Sequence, residues 1–279
     1  MFAAFLVAIS LGLFIAAILS DYIKSTEGFE DVPELASFGE ETEVTGKLAD
    51  YDDDMDGEDD PRDLPWIASW STADKAARRG QNCSVKFTDK GVNGTTIITT
   101  SKSCEAGLPH TRAGDRIIIP DSVPEALRAE ILEHEMYHIL QKREPQKWTK
   151  FYKQSWDFEL FKEPPVGIPD HLIKARRGNP DTWQAPWCCW RSRYWSLTIY
   201  TDMTAPSLLK ARTVWWDAWT SKSLDSEPEE WLEFFGSLSQ PEHPHEISAV
   251  LLVSKDRTHE AGRRLENWAA LNLVNPFNS

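Results

Sequence analysis

The sequence predicts an α+β fold, with a small N-terminal β-rich part and a mainly helical C-terminal part behind a single N-terminal transmembrane helix. Three observations predict it: β-branched runs between residues 83 and 119, a helical pattern from Pro124 to Pro145, and an apolar start without a charged side chain through residue 19. Three regions follow: a transmembrane segment at 1–20, an acidic flexible linker at 21–63 and a folded domain at 64–279.

At 1.5 Å per residue the apolar start reaches about 28 Å, close to the hydrocarbon thickness of a bilayer. No Lys or Arg precedes Asp21, and Ile18-Leu19-Ser20 is a poor cleavage site, so an uncleaved signal anchor is expected. A cleaved signal peptide and secretion is the alternative. The flank after the segment is acidic, which places the folded domain outside the cytoplasm.

Between Asp21 and Asp63 there are 17 acidic and 3 basic residues, which accounts for the whole formal charge of −14. Such a stretch repels itself and buries too little apolar surface to offset its ordering entropy. Asp52, Asp54, Asp56, Gly57, Asp60 and Asp63 fall at positions 1, 3, 5, 6, 9 and 12 of a calcium loop. Asp63 replaces the usual bidentate Glu, Pro61 intrudes and no helix pair flanks the loop, so a solvated acidic linker is the stronger reading and Ca²⁺ the weaker. No basic tract or nucleic-acid module is present, which argues against DNA or RNA as a partner.

In the folded domain, a helix around Ala73 to Arg79 precedes β-rich segments at Cys83 to Thr88 and Gly94 to Thr100 and a buried strand at Arg116–Pro120. The next helix is expected to start with a capping box between Ser122 and Glu125 around Pro124, and Pro145 ends it. Helices are then expected at 146–162, 206–220, 228–236 and, with a break, 244–272. The Trp-dense stretch from Trp183 to Trp219 reads as core before it reads as a substrate groove. Cys83 and Cys104 bracket the β-rich part and can close a disulfide, whereas the adjacent Cys188 and Cys189 cannot pair without an unusual ring.

The residues with chemistry lie in Ile-Leu-Glu-His-Glu-Met-Tyr-His-Ile-Leu, residues 131–140. One helical turn separates His134 from His138, so both imidazoles can reach a single Zn²⁺. Glu135 is not expected to bind the metal; it is placed to take a proton from the attacking water and pass it to a leaving amine.

This segment resembles the zincin superfamily of metallopeptidases, whose wider pattern of uncharged and hydrophobic neighbours is met by Ile131, Leu132, Met136, Tyr137, Ile139 and Leu140. Gly107-Leu-Pro-His-Thr-Arg112, Asn179-Pro-Asp181 and His243-Pro-His-Glu-Ile-Ser-Ala249 are similar to segments of uncharacterised zincin-like proteins of large DNA viruses, algae and bacteria. The resemblance covers roughly residues 65 to 260. It implies a zincin-like metalloprotease domain, a zinc-dependent hydrolase acting on a peptide or protein substrate.

A catalytic zinc needs a third protein ligand. Glu144 stands six residues past His138, where a metzincin would carry histidine. His171, Asp157, Glu159, Asp202, His243, His245, Glu246 and His259 remain. Glu246 is the choice, because Pro244 can open a helix before it and the small Ala249 lets that helix lie close to the metal helix. His245 and His243 are its main rivals. In the related proteins the matching Glu is the presumed ligand, so the chain resembles a gluzincin. Val250 stands where thermolysin-like members carry an orienting Asp, which leaves Asp181 as the candidate to support a ligand. His110, Arg112, Tyr194, Tyr200 and His171 are each chemically able to donate to a developing oxyanion, and none is singled out by spacing. The alternative from another class is a catalytically silent zincin-like binding scaffold at a membrane surface. An intact Glu135 argues against it, since a binding role has no use for a general base.

Overall fold

The first sheet is built from β-branched residues whose two faces meet different partners. A computed structural model of the chain describes residues 46–50, as backbone, and 60–273, without the side chain of Asn82. Its five strands are β1 (Gly46–Asp50), β2 (Asn82–Lys90), β3 (Thr96–Thr100), β4 (His110–Arg112) and β5 (Arg116–Pro120), in the order β1-β2-β3-β5-β4. Only β3 and β5 run parallel; every other pair is antiparallel. Ile98 and Ile118 point into a cluster with Trp66, Trp70 and the Cys83–Cys104 disulfide. Ile97, Ile117 and Ile119 point the other way, onto Leu132, Met136 and Ile139. Strand alternation therefore fixes which face receives the long helix.

Helices α1 (Leu64–Ala68) and α2 (Thr72–Arg78) precede β2, and α3 (Glu125–Arg143) packs under β4 and β5. Ser71 caps α2 through a reciprocal pair with Asp74. No such box opens α3: Pro124 is its N-cap, no side chain caps it, and the expected Ser122–Glu125 box is corrected accordingly. Proline at this position fixes the entry angle, and its carbonyl accepts from Leu127 N at 3.0 Å.

The C-terminal part is not mainly helical. It contains a second five-stranded sheet, β6 (Phe158–Phe161), β7 (Trp187–Trp190), β8 (Tyr194–Tyr200), β9 (Ala211–Asp217) and β10 (Lys222–Leu224), an antiparallel meander in the order β10-β9-β8-β7-β6. The helix expected at 206–220 is β9, with a short 3₁₀ turn before it. The helix expected at 146–162 is α4 (Pro145–Phe151) and a π-helical turn that stops where Asp157 adopts φ 64°, after which β6 begins. Four further α-helices follow among the described residues: α5 (Asp170–Ala175), α6 (Glu229–Phe235), α7 (Pro244–Ser254) and α8 (Glu260–Asn272). Trp215 lies in the aromatic core shared with these helices, and Val214 and Trp216 lie in the cluster on the opposite face. Cys188 and Cys189 divide in the same way, so their side chains point apart and both remain free thiols. The Trp-dense stretch is core at Trp187, Trp190, Trp195, Trp215 and Trp216, Trp183 is half-buried against the cluster of Trp66 and Trp70, and Trp219 is 71% exposed.

The linker reading is corrected at its C-terminal end. Gly46–Asp50 is a strand on β2, Asp60 pairs with Arg62 and Arg116, and the buried Asp63 pairs with Arg116 at 2.7 Å. The folded unit therefore begins before residue 64. Asp60 and Asp63 pair with arginines there, while Asp52, Asp54, Asp56 and the transmembrane segment expected at 1–20 lie outside the described residues. Among the described residues no helix is long and apolar enough to cross a membrane.

A buried ionic chain joins this region to α2. Glu105 accepts from Arg78 Nε at 2.9 Å and faces Arg112 at 3.6 Å. Burial alone would raise the Glu105 carboxyl, but Arg78 and Arg112 outweigh it and hold it down at about 2, against an ordinary 4.5. A depressed carboxyl contributes stability that is complete above its unfolded value and is lost as pH falls through the folded one. The thermal midpoint should thus fall between pH 4.5 and about 2, and Glu105→Gln should flatten that dependence in a melting series. An unchanged slope in the variant would show that other carboxylates carry the acid sensitivity.

Candidate metal centre

Helix α3 brings His134, Glu135 and His138 beneath β4, and α7 brings Glu246 against them. Pro244 occupies the first turn of α7, and the fully buried Ala249 lies on this helix, which packs against α3. A tetrahedral zinc with bonds of about 2.0–2.1 Å separates its donor atoms by about 3.3–3.4 Å. Here the two Nε2 atoms of His134 and His138 are 3.0 Å apart, and Glu246 Oε2 lies 3.4 Å from the first and 3.2 Å from the second. The donor set, two imidazoles and one carboxylate, is one that zinc takes, so the residues present fit the metal. The His134 side chain is 16% exposed while His138 and Glu246 are enclosed, so the centre opens on the His134 side.

Hydrogen bonds aim each donor. Gln141 lies one turn beyond His138, and its amide nitrogen donates to the carbonyl of His245 and to Ser248 Oγ, both at 3.0 Å. A carbonyl can only accept, so the other end of Gln141 is its oxygen, and that oxygen accepts from His138 Nδ1 at 2.8 Å. The proton of neutral His138 is thereby placed on Nδ1, leaving the Nε2 lone pair turned to the centre. Tyr152 supports the same network through Ser248 at 2.8 Å. Asn179 works alike on Glu246: its oxygen accepts from Asp181 N and its nitrogen donates to Glu246 Oε1, each at 2.8 Å. With Oε1 held, Oε2 is the atom offered to the histidines.

Burial would lower His138, but the Glu246 and Asp181 carboxylates outweigh it and lift it to about 10. Burial would raise Glu246, and the His138 and His134 imidazoles hold it well below the carboxylate range instead. Glu135 differs. Burial and then the Asp181 carboxylate push it well above its ordinary value, and its Oε2 is buried without a hydrogen-bond partner. An unsatisfied buried carboxylate oxygen beside a donor triad is a costly arrangement unless something polar comes to it.

No protein-family model, curated protein or solved structure matches the chain. The reading of the centre therefore rests on its residues and their geometry.

Of the eight sequence candidates for a third ligand, Glu246 alone joins the histidine pair among the described residues. His243 is committed at both nitrogens, accepting from His245 N at 3.1 Å and bonding Ala185 O at 3.0 Å. His245 packs on Tyr152 and His243, with Nδ1 buried and unpartnered. His171 lines a separate cleft of about 600 Å³ with Arg212 and Glu227. Asp202 caps its own turn at Thr204, and Glu159 faces Lys153.

Asp181 stands beside the centre, with acceptor and donor atoms of Glu135, His138 and Asp181 within 4.8 Å of one another. It accepts from Thr111 N at 2.8 Å and faces Lys142 Nζ at 3.5 Å. His110, Arg112 and Tyr200 are committed to other partners. His110 bonds Leu108 O and accepts from Arg112 Nε, both at 3.0 Å, and burial and Arg112 hold it down at about 4, so it keeps no donor to offer. Arg112 also faces Asp63 and Glu105, and Tyr200 donates to Asp74 at 2.8 Å. Tyr194 likewise donates to Glu230 at 2.6 Å. The sequence did not single out Gln141, Lys142 or Tyr152, and it marked Asn179 and Ser248 only as members of similar segments, without the hydrogen bonds they make here. Gln141 carried a readable signal, its place three residues beyond His138 on the same helical face.

Proposed function

We propose that the chain is a zinc-dependent peptidase of zincin-like type, hydrolysing peptide or related amide bonds. The observation that carries the reading is the convergence of His134 Nε2, His138 Nε2 and Glu246 Oε2 beside the unpartnered Oε2 of Glu135. Zinc held by the triad would supply Lewis-acid polarisation of the attacking water and the scissile carbonyl.

The chain's own residues supply the proton traffic and the fixed geometry. Glu135 Oε2 accepts the proton the water gives up as it attacks. The same oxygen then delivers that proton to the leaving amine, so Glu135 ends the cycle ionised. Burial and Asp181 both raise its proton affinity, which suits a group that must take a proton from water. Gln141 and Asn179 hold the His138 ring and the Glu246 carboxylate in place, so neither must reorganise when substrate enters. The opening beside His134 is the approach for substrate.

The uncharged apolar run at residues 1–19 and the Cys83–Cys104 disulfide support a place outside the cytoplasm at a membrane surface. The reading is tested by incubating the zinc-loaded full-length chain with a mixed peptide library. Cleavage is expected; a fully loaded chain that cleaves none of a broad library would favour the silent scaffold.

A further inference from the structure

The turn that carries Asn179 is held from outside the centre, by a buried ion pair on α2. Arg78 and Asp74 are both buried, one turn apart, with Arg78 Nη1 donating to Asp74 Oδ1 at 2.9 Å. Together they take both main-chain groups of Gly178: its N–H donates to Asp74 Oδ1 at 2.9 Å, and its carbonyl accepts from Arg78 Nη2 at 3.0 Å. The approach is close: a Cβ there would stand 3.1 Å from Trp66 Cη2 and 3.2 Å from Asp74 Oδ2, so a larger residue would have to push one of them aside.

The pair is itself rigid. Asp74 Oδ2 accepts from the Ser71 amide and hydroxyl in the α2 cap, Tyr200 donates to Oδ1, and Arg78 Nε is fixed by Glu105. The peptide joining Gly178 to Asn179 is planar, so fixing the Gly178 carbonyl fixes the plane from which Asn179 departs. Asn179 then reaches Glu246 Oε1. We infer that the Asp74–Arg78 pair positions the Glu246 ligand, acting through Gly178 and Asn179; this rests on the metal centre proposed above. A seven-residue helix that touches no ligand thereby sets the aim of one.

A purely structural pair would change the melting temperature and leave the zinc affinity of the folded chain alone. The test is zinc affinity of the full-length chain, measured by competition with a chelator, with a melting curve for each variant. Asn179→Ala is expected to weaken zinc by roughly 10–100-fold, the usual effect of losing a ligand's supporting partner. Arg78→Lys keeps the charge but cannot bond Glu105, Asp74 and the Gly178 carbonyl together, and is expected to weaken zinc by about 10-fold. Because Arg78 acts through Asn179, the double variant should bind no more weakly than Asn179→Ala alone. Gly178→Ala crowds the turn while leaving the Arg78 side chain intact, and should weaken zinc in the same non-additive way should Arg78→Lys fail to fold. Folded Arg78→Lys or Gly178→Ala protein with wild-type zinc affinity, or effects that multiply with those of Asn179→Ala, would overturn the inference while leaving the metal centre standing. A wild-type chain that binds no zinc would overturn both.

Discussion

Glu135→Gln will keep its zinc and lose peptide hydrolysis by roughly 10²–10⁴-fold, the range expected when a general base is removed. The substitution preserves size and leaves His134, His138 and Glu246 as they are, so metal content is the internal control. It takes away a carboxylate oxygen beside the triad that is buried, unpartnered and able to accept a proton, Glu135 Oε2. Stability should not suffer from the change. Burial and then the Asp181 carboxylate push Glu135 well above its ordinary value, so its charge is disfavoured where it stands, and a neutral amide removes the repulsion with Asp181. The measurement is turnover of the same peptide library by wild type and variant, each assayed for bound zinc. Equal turnover would remove Glu135 from the mechanism.

The second large effect is expected at the third ligand. Glu246→Gln retains an oxygen near the histidines but removes the negative charge and presents an amide to Asn179 Nδ2, whose bond to Oε1 is 2.8 Å. Zinc affinity should fall by more than the roughly 10–100-fold that loss of a supporting partner costs, because a ligand itself is altered. His245→Ala is the companion variant. Its ring lies on the same helix with one buried unpartnered nitrogen, yet it is absent from the converging triad. Unchanged zinc affinity in Glu246→Gln with loss in His245→Ala would reassign the ligand.

The parts of this centre that sequence made legible are those encoded locally. His134, Glu135 and His138 share one helix, and the Ile117 to Ile119 run beside it is buried on both faces, as its unbroken apolar pattern suggests. Glu246 was reachable because proline marks the start of its helix and a small residue marks close helix packing. The second sheet was not legible. Thr213-Val-Trp-Trp216 is a short apolar run flanked by charges, and such a run cannot be told from a buried helical segment by periodicity alone. Its strand character comes from pairing with β8, residue by residue from Tyr194 with Asp217 to Tyr200 with Ala211, which is a long-range fact. Asn179 was hidden for the same reason: the hydrogen bond that gives it a role spans 67 residues. The arginines at 112 and 116 gave no sign that they would draw Asp60 and Asp63 out of the acidic segment and into the folded unit.

Zinc K-edge X-ray absorption on the metal-loaded full-length chain, with stoichiometry from the same sample, tests the centre most directly. One zinc per chain is expected, with a shell of nitrogen and oxygen at about 2.0–2.1 Å that includes two imidazoles, and no sulfur at about 2.3 Å. A sulfur shell would move the metal to Cys188 or Cys189, and a chain that takes up no zinc would contradict the centre outright.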